Sequence, residues 1–343
     1  FLEIWDSRLM KPVVMIGPAQ LKGIEAVYAP TLEAAGFALR FPQRNVQMLE
    51  SELFEQLPGC VASLAGSEPY TRAVIERAAA AGLKVIARAG VGYDGVDLAA
   101  ATEQGIVVTF APGTNQEAVA EHTFMLMLAL AKNLIPQHQG ITAGSWPRKV
   151  TLPLRGRTLG ILGLGRIGKA VARLAHAFGM TPVAYDPYAD PSYAQQHQIT
   201  LLSREDVLRQ ADYLTLHMPL VPESREIINA RTLELMKPTA FLINTSRGGV
   251  IHEADLAEAL NTQRIAGAAL DVLNEEPPPP GHPLLGVKNL LFTAHTAGID
   301  TQSRDDMARS AARSIVELMA GGWPDECVVN PEVRERWLAR MNR

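Results

Sequence analysis

The run Thr158-Leu-Gly-Ile-Leu-Gly163-Leu-Gly165-Arg-Ile-Gly168-Lys-Ala-Val-Ala-Arg-Leu constrains the fold more than any other stretch. It reads as a strand (Leu159 to Leu162), a glycine-rich turn, and a helix whose apolar residues Ile167, Val171, Leu174 and Phe178 recur at helical spacing. In Gly163-x-Gly165-x-x-Gly168, the first glycine permits a tight turn. The second lets a pyrophosphate approach the backbone, and the third lets the helix pack close to its strand. Arg166 and Ile167 open the helix, whose N-terminus offers N–H groups and a positive dipole end to phosphates. A second strand, Pro182-Val-Ala-Tyr-Asp186, ends in an acid 18 residues after Gly168. An acid there can bond both adenosine ribose hydroxyls and would repel a 2′-phosphate, which points to NAD rather than NADP. A bare glycine fingerprint is weak; this one has the strand, helix and acid that it requires.

At 343 residues the chain is expected to hold two domains, and 47% hydrophobic with 20% charged residues suits a globular protein. A net charge of −4 gives no basic field, so neither nucleic acid nor an anionic membrane is expected as a partner. The two cysteines, Cys60 and Cys327, exclude a disulfide framework, and no Cys/His spacing suggests a metal. A reducing cytoplasm fits best. Phe1-Leu-Glu-Ile-Trp-Asp6 lacks the features of a signal peptide, and the apolar run from Phe124 to Ala131 is too short to span a bilayer.

From residue 11 to 110, apolar runs alternate with helical patterns. Strands are expected at Val13–Ile16, Phe37–Phe41, Val61–Ala65, Leu83–Ala87 and Ile106–Phe110. Helices are expected up to about Ala35 and over Val46–Leu57, Thr71–Ala80 and Leu98–Glu103. Such alternation implies a parallel sheet covered on both faces. Ala111-Pro112-Gly113 is a candidate hinge before a long helix, Gln116 to Lys132, and a turn-rich loop, Gln139 to Leu154. Six strands follow, beginning at Leu159, Val183, Tyr213, Ala240, Ala266 and Leu290, with helices at Arg166–Phe178, Glu205–Gln210, Thr232–Met236 and Ala254–Leu260. Six is the count of a full dinucleotide fold. A final amphipathic helix, Thr301 to Leu318, is expected to return to the first domain, with a second hinge near Gly298. The fold class is therefore α/β. Residues 1–111 with 299–343 would form a discontinuous first domain, and residues 112–298 the dinucleotide domain.

Functional residues of open parallel sheets sit at the carboxyl ends of strands. Arg247, in Thr245-Ser-Arg247-Gly-Gly249, can grip a carboxylate through two parallel bonds, although a lone arginine is ordinarily structural. His295, in Thr293-Ala-His295-Thr-Ala-Gly298, can hand a proton to a forming alkoxide, unless it is a satisfied core histidine. Glu276, or its neighbour Glu275, could bond the imidazole and raise its pKa. Three strand-end groups of complementary type suggest a hydride-transfer site.

The chain resembles the D-isomer-specific 2-hydroxyacid dehydrogenases, nearest in style to the phosphoglycerate dehydrogenase-like branch without a regulatory domain. The resemblance rests on Arg88-Ala-Gly-Val-Gly-Tyr-Asp94, Pro112-Gly-Thr-Asn115, Val119-Ala-Glu121-His122, the glycine fingerprint, Leu216-His-Met-Pro-Leu220, Asn244-Thr-Ser-Arg-Gly-Gly249, Ala269-Leu-Asp-Val272 with Glu276-Pro277, and Ala294-His295. It implies a flavodoxin-like substrate domain and a Rossmann NAD domain, both doubly wound. It also implies that Arg247 orients the substrate, His295 donates the proton in keto-acid reduction, and Glu276, directly before the proline, is its partner. By the same resemblance Asp271 would hold the nicotinamide carboxamide. His217 and Pro219 would line the adenosine side, and Asn115, Val119, Thr245 and Gly298 would lie along the cofactor. Val91 and Gly92 would offer N–H groups to the substrate carboxylate. The family dimerises through its nucleotide domain, so a homodimer is expected.

Two departures stand out. Ala294 occupies the position where the family usually has proline. Gly66-Ser-Glu68-Pro-Tyr70 occupies the loop where phosphoglycerate enzymes can carry arginines; Glu68 would repel a phosphate if it pointed inward, and otherwise would face solvent. The substrate is then a small 2-hydroxy or 2-keto acid, of phosphoglycerate or of glyoxylate and hydroxypyruvate type. The rival reading is a non-catalytic NAD(H)-sensing interaction protein on the same scaffold. Formate oxidation is disfavoured because formate enzymes of this fold pair the histidine with glutamine.

Overall fold

The computed structural model describes residues 11–42 and 47–341. They belong to two compact units, Phe1–Asn115 with Thr301–Arg343, and Gln116–Asp300. The leader reading at Phe1 to Asp6 and the expected helix start at Val46 lie outside the described residues.

The first unit opens with β1 (Val13–Ile16), α1 (Glu25–Ala34), β2 (Ala38–Arg40), α2 (Glu50–Gln56), β3 (Cys60–Ala65), α3 (Arg72–Ala80), β4 (Val85–Arg88), α4 (Leu98–Glu103) and β5 (Val107–Thr109). The five strands are parallel in the order β2-β1-β3-β4-β5. Connections diverge from β1 and β3, so the crevice of this sheet opens at their carboxyl ends, beside Gly17 and Gly66. Thr71 and Asp97 cap α3 and α4 by accepting bonds from Val74 and Ala100 N–H.

The second unit begins with α5 (Gln116–Ala131) and α6 (Leu134–Thr142). It continues through β6 (Thr158–Leu162), α7 (Arg166–Ala177), β7 (Thr181–Tyr185), α8 (Pro191–Gln196), β8 (Thr200–Leu201), α9 (Arg204–Gln210) and β9 (Tyr213–Leu216). Then come α10 (Ala230–Leu233), β10 (Phe241–Asn244), α11 (Glu253–Asn261), β11 (Gly267–Leu270) and β12 (Leu290–Phe292). Its sheet has seven parallel strands, not the six expected, in the order β12-β11-β10-β9-β6-β7-β8. The addition is β8, whose two residues are too few to give a pattern. Ser203 caps α9 through the Asp206 N–H. The switch point lies between β6 and β9, so Gly163 and His217 flank the crevice.

The loop expected over Gln139 to Leu154 begins inside a helix. α6 carries Pro136 in its first turn, where a missing N–H is harmless, and Gly140 further along. Both residues disguise it in the sequence. α8 carries the opposite lesson, because Asp190 caps it and Pro191 starts it, a standard entry signal.

The chain ends in α12 (Thr301–Met319) and α13 (Arg334–Met341). α12 packs on α1 and against β3 and β4, within the first unit. Between α12 and α13 the chain closes the open side of β5. Val329 N–H donates to Val108 O, and Phe110 N–H to Cys327 O. The buried Asn330 accepts from Val108 N–H at 2.9 Å and donates to Ile106 O at 3.0 Å. An exposed strand edge invites pairing with other chains, and this segment covers it.

Trp337 of α13 is 1% exposed and lies 5.7 Å, centroid to centroid, from Trp323. Trp337→Ala should destabilise the first unit by about 3–5 kcal/mol, the usual cost of emptying a large aromatic site. Urea denaturation followed by circular dichroism measures it; a loss under about 1 kcal/mol would contradict this packing.

Candidate active site

The glycine turn of the second unit is built as a phosphate cradle. Gly163 has φ +96°, and its N–H donates to Tyr185 O at 2.9 Å. A Cβ on Gly168 would lie 2.1 Å from Gly163 O, so only glycine lets α7 sit this close to the turn. Gly165 caps α7, and a Cβ placed there would meet nothing within 4 Å. That open space lies at the helix N-terminus, beside Arg166 and Ile167 of the first turn. Asp186 follows β7. It accepts Leu164 N–H at 2.7 Å on one carboxylate oxygen and Tyr188 N–H at 2.8 Å on the other. Each oxygen retains lone-pair capacity for a ribose hydroxyl.

His217 N–H donates to Leu162 O, and its Nε2 meets the Thr215 hydroxyl at 2.9 Å. Burial pushes the imidazole pKa down to about 3, so the ring is neutral. Its Nδ1 is buried with no protein hydrogen bond. This orphaned atom, the open cradle and the acid after β7 all suit a dinucleotide. Pro219 follows in the same loop, where its carbonyl accepts the Ser224 hydroxyl at 2.6 Å.

The carboxyl ends of β10, β11 and β12 carry the other candidates. These strands run in register, Asn244 beside Leu270 and Leu270 beside Phe292. Two strand spacings, roughly 10 Å, therefore separate the roots of the Arg247 and His295 loops on one edge of the sheet. The fully buried Asn244 side chain builds the Arg247 turn. It accepts Ser246 N–H at 3.0 Å and the Ser246 hydroxyl at 2.8 Å, and donates to Arg247 O at 2.8 Å. Arg247 is half-buried, with Nη1 donating to Ser246 O at 2.7 Å. A Cβ on Gly248 would come within 2.0 Å of the Leu273 carbonyl carbon, so this glycine lets the loops after β10 and β11 touch.

Glu276, not Glu275, meets the imidazole. Its Oε2 lies 2.7 Å from His295 Nδ1, and its Oε1 accepts Leu273 N–H at 2.9 Å. Burial alone would raise the Glu276 pKa; the His295 and Leu273 bonds outweigh it, and the net shift is downward. His295 has φ +53°, left-handed for a residue with a side chain. Its N–H donates to Asp271 O at 2.8 Å. The Asp271 carboxylate accepts Thr296 and Ala297 N–H, each at 2.9 Å, and the Thr293 hydroxyl at 2.5 Å. Gly298 follows in the same loop, which runs on to α12 at Thr301.

On the α5 side of the second unit, Val119 is buried and its carbonyl accepts the Thr123 hydroxyl, which lies 3.2 Å from that of Thr245. Asn115 directly precedes α5. Val91 and Gly92 lie in the first unit, in the loop after β4, where Arg88 Nε donates to Gly92 O at 2.9 Å. Glu68 does not face solvent: it is 1% exposed, and its Oε2 accepts Gly66 N–H at 2.5 Å. Burial pushes its carboxyl pKa up, with Arg88 opposing. Asn244, Thr293 and His122 received no role from the sequence, though all three lie in or beside motifs it brought out.

Residues 124–297 match the family described as D-isomer specific 2-hydroxyacid dehydrogenase, NAD binding domain. A D-3-phosphoglycerate dehydrogenase of Methanocaldococcus jannaschii is 38% identical over 298 residues, covering 86% of this chain and 56% of the relative. A glyoxylate reductase of Aeropyrum pernix is 40% identical over 260 residues, covering 73% of this chain and 77% of the relative. The apo-structure of D-lactate dehydrogenase from Escherichia coli superposes with a TM-score of 0.80 at 27% identity, covering 93% of this chain and 100% of that one. The chain spans about half the length of the D-3-phosphoglycerate dehydrogenases it matches. With its fingerprint, strand order and matched NAD-binding domain, the chain belongs to the D-isomer-specific 2-hydroxyacid dehydrogenase family.

Proposed function

We propose that the protein interconverts a D-2-hydroxy acid and its 2-keto acid with NAD, and the 2.7 Å bond between His295 and Glu276 carries this reading. The cofactor would supply the redox chemistry when bound: NAD+ as acceptor of the hydride from C2 of the hydroxy acid, and NADH as its donor to C2 of the keto acid. The chain supplies the rest. Arg247 grips the substrate carboxylate. Glu276 takes Nδ1 of His295, leaving Nε2 to give its proton to the carbonyl oxygen as hydride arrives. The His295 and Leu273 bonds keep the Glu276 pKa low, so the carboxylate is available to hold the ring. Asp271 and Thr245 line the nicotinamide side, Asp186 the adenosine ribose. The substrate is of phosphoglycerate or of glyoxylate and hydroxypyruvate type.

We also propose a cytoplasmic homodimer formed through the second unit, without nucleic-acid or membrane partners. Met125, Leu134, Ile135 and Ile141 leave apolar surface exposed on α5 and α6, and both cysteines are free thiols. Among the described residues, no single helix is long and apolar enough to cross a membrane. Sedimentation at twice the 37.2 kDa chain mass is expected, and a monomer at micromolar concentration would overturn the dimer. Subcellular fractionation checks the compartment.

Reduction of glyoxylate, hydroxypyruvate and pyruvate, followed by loss of NADH absorbance, tests the chemistry. His295→Ala should lower kcat about 100- to 10,000-fold, and full activity in that variant would sink the proposed roles. Glu276→Gln removes the carboxylate that holds Nδ1 of His295. Keto-acid reduction should then show kcat lower by about 10- to 100-fold with the KM for NADH little changed; an unchanged kcat contradicts the pairing. Asp186→Ala should reduce the preference for NADH over NADPH, read as the ratio of kcat/KM values. Comparable wild-type kcat/KM values for the two cofactors would contradict the charge argument.

A further inference from the structure

We propose that His122 is a positioning residue for His295, acting through the Thr293 hydroxyl and the Asp271 carboxylate. The inference rests on the catalytic reading of His295 given above. His122 lies on α5, in a helix remote in sequence from the loop it would govern, and it has no part in the proposed proton transfer.

The argument starts from Asp271. Its side chain is 1% exposed, so each oxygen needs partners inside the protein. Three donors reach it, and all three come from the loop that carries His295: the Thr293 hydroxyl and the Thr296 and Ala297 N–H groups. The backbone of Asp271 adds a fourth tie by accepting His295 N–H. One buried residue thus binds positions 293, 295, 296 and 297. This is the anchorage that a left-handed histidine requires, because nothing intrinsic to that conformation favours it.

Thr293 holds the register of this anchorage, and His122 fixes Thr293. A hydroxyl carries one proton. Since the Thr293 proton goes to Asp271, its oxygen must accept the bond to His122 Nε2, 3.0 Å away. That assigns the Nε2–H tautomer to His122. Burial lowers the His122 pKa, opposed by Asp271, whose Oδ1 lies 3.6 Å from Nε2. The neutral ring then acts as a fixed donor. Without it the hydroxyl is free to rotate away from the carboxylate, and one of the ties on the His295 loop slackens. Misplacement of a reacting group by about 1 Å is enough to cost about 100-fold in rate.

The test compares His122→Phe, which keeps the ring and removes the donor, with His122→Gln, which keeps an N–H donor. Thr293→Val serves as a third variant. Hydrogen exchange of the peptide spanning 293–298, read by mass spectrometry on the full chain, requires no substrate. Exchange there should rise about 10-fold in His122→Phe and Thr293→Val, and fall back toward wild type in His122→Gln. Keto-acid reduction should show kcat lower by about 10- to 100-fold in His122→Phe, with the KM for NADH changed less than about 2-fold and most of the rate regained in His122→Gln. Unchanged exchange in the 293–298 peptide overturns the proposal, as does a Gln variant no better than Phe. A wild-type protein that reduces no keto acid would defeat the catalytic reading instead. The exchange data would still decide whether His122 holds the loop.

Discussion

Parallel strands of matched length all finish on the same side of a sheet, and this single constraint assembles the site. In the second unit β10, β11 and β12 end at Asn244, Leu270 and Phe292 in direct register. Every loop that follows must start from one edge. Groups separated by dozens of residues in the sequence become neighbours with no special device beyond the ladder. The switch between β6 and β9 then opens a crevice beside that edge, lined by the glycine turn and His217.

Fine placement comes from buried polar side chains that hold loops rather than react. Asn244 ties together the turn that presents Arg247, and Asp271 gathers the loop that presents His295. Three carboxyl groups are handled in different ways. Asp271 is sealed in but receives three donors. Glu276 is half exposed, and its histidine and amide partners favour the charged form despite partial burial. Glu68 is sealed in with its Gly66 amide bond, and burial favours its protonated form. In Glu276 the hydrogen bonds outweigh burial, whereas in Glu68 burial outweighs its amide bonds and Arg88.

Much of this architecture was legible beforehand. The parallel layers follow from strand–helix alternation, and the nucleotide crevice follows from the fingerprint with Asp186 at its expected spacing. Elements escaped the reading where their signals were short or masked. β8 has two residues, and α6 contains a proline and a glycine. α13 is strongly polar, and Trp337 alone among its residues is fully buried. Residues proposed to react stood out because their chemistry is unusual at strand ends. Those that position, such as Thr293 and Asn244, did not, since a threonine or asparagine in a loop has many ordinary reasons to be there. Their roles depend on distances between segments that sequence order does not encode. The Glu68 orientation was open for the same reason, and burial closes the solvent-facing choice.

That burial has a consequence for how this protein can change. Cβ atoms built on Gly17 and on Gly66 would each lie 3.0 Å from the same Glu68 oxygen. Three positions on two different strand ends therefore share one small volume. A side chain on either glycine would require Glu68 to give way by a few tenths of an ångström, and one on Gly66 would press on Pro18 as well. Substitutions at the three positions are therefore coupled, and the effect of a change at either glycine depends on which residue stands at 68.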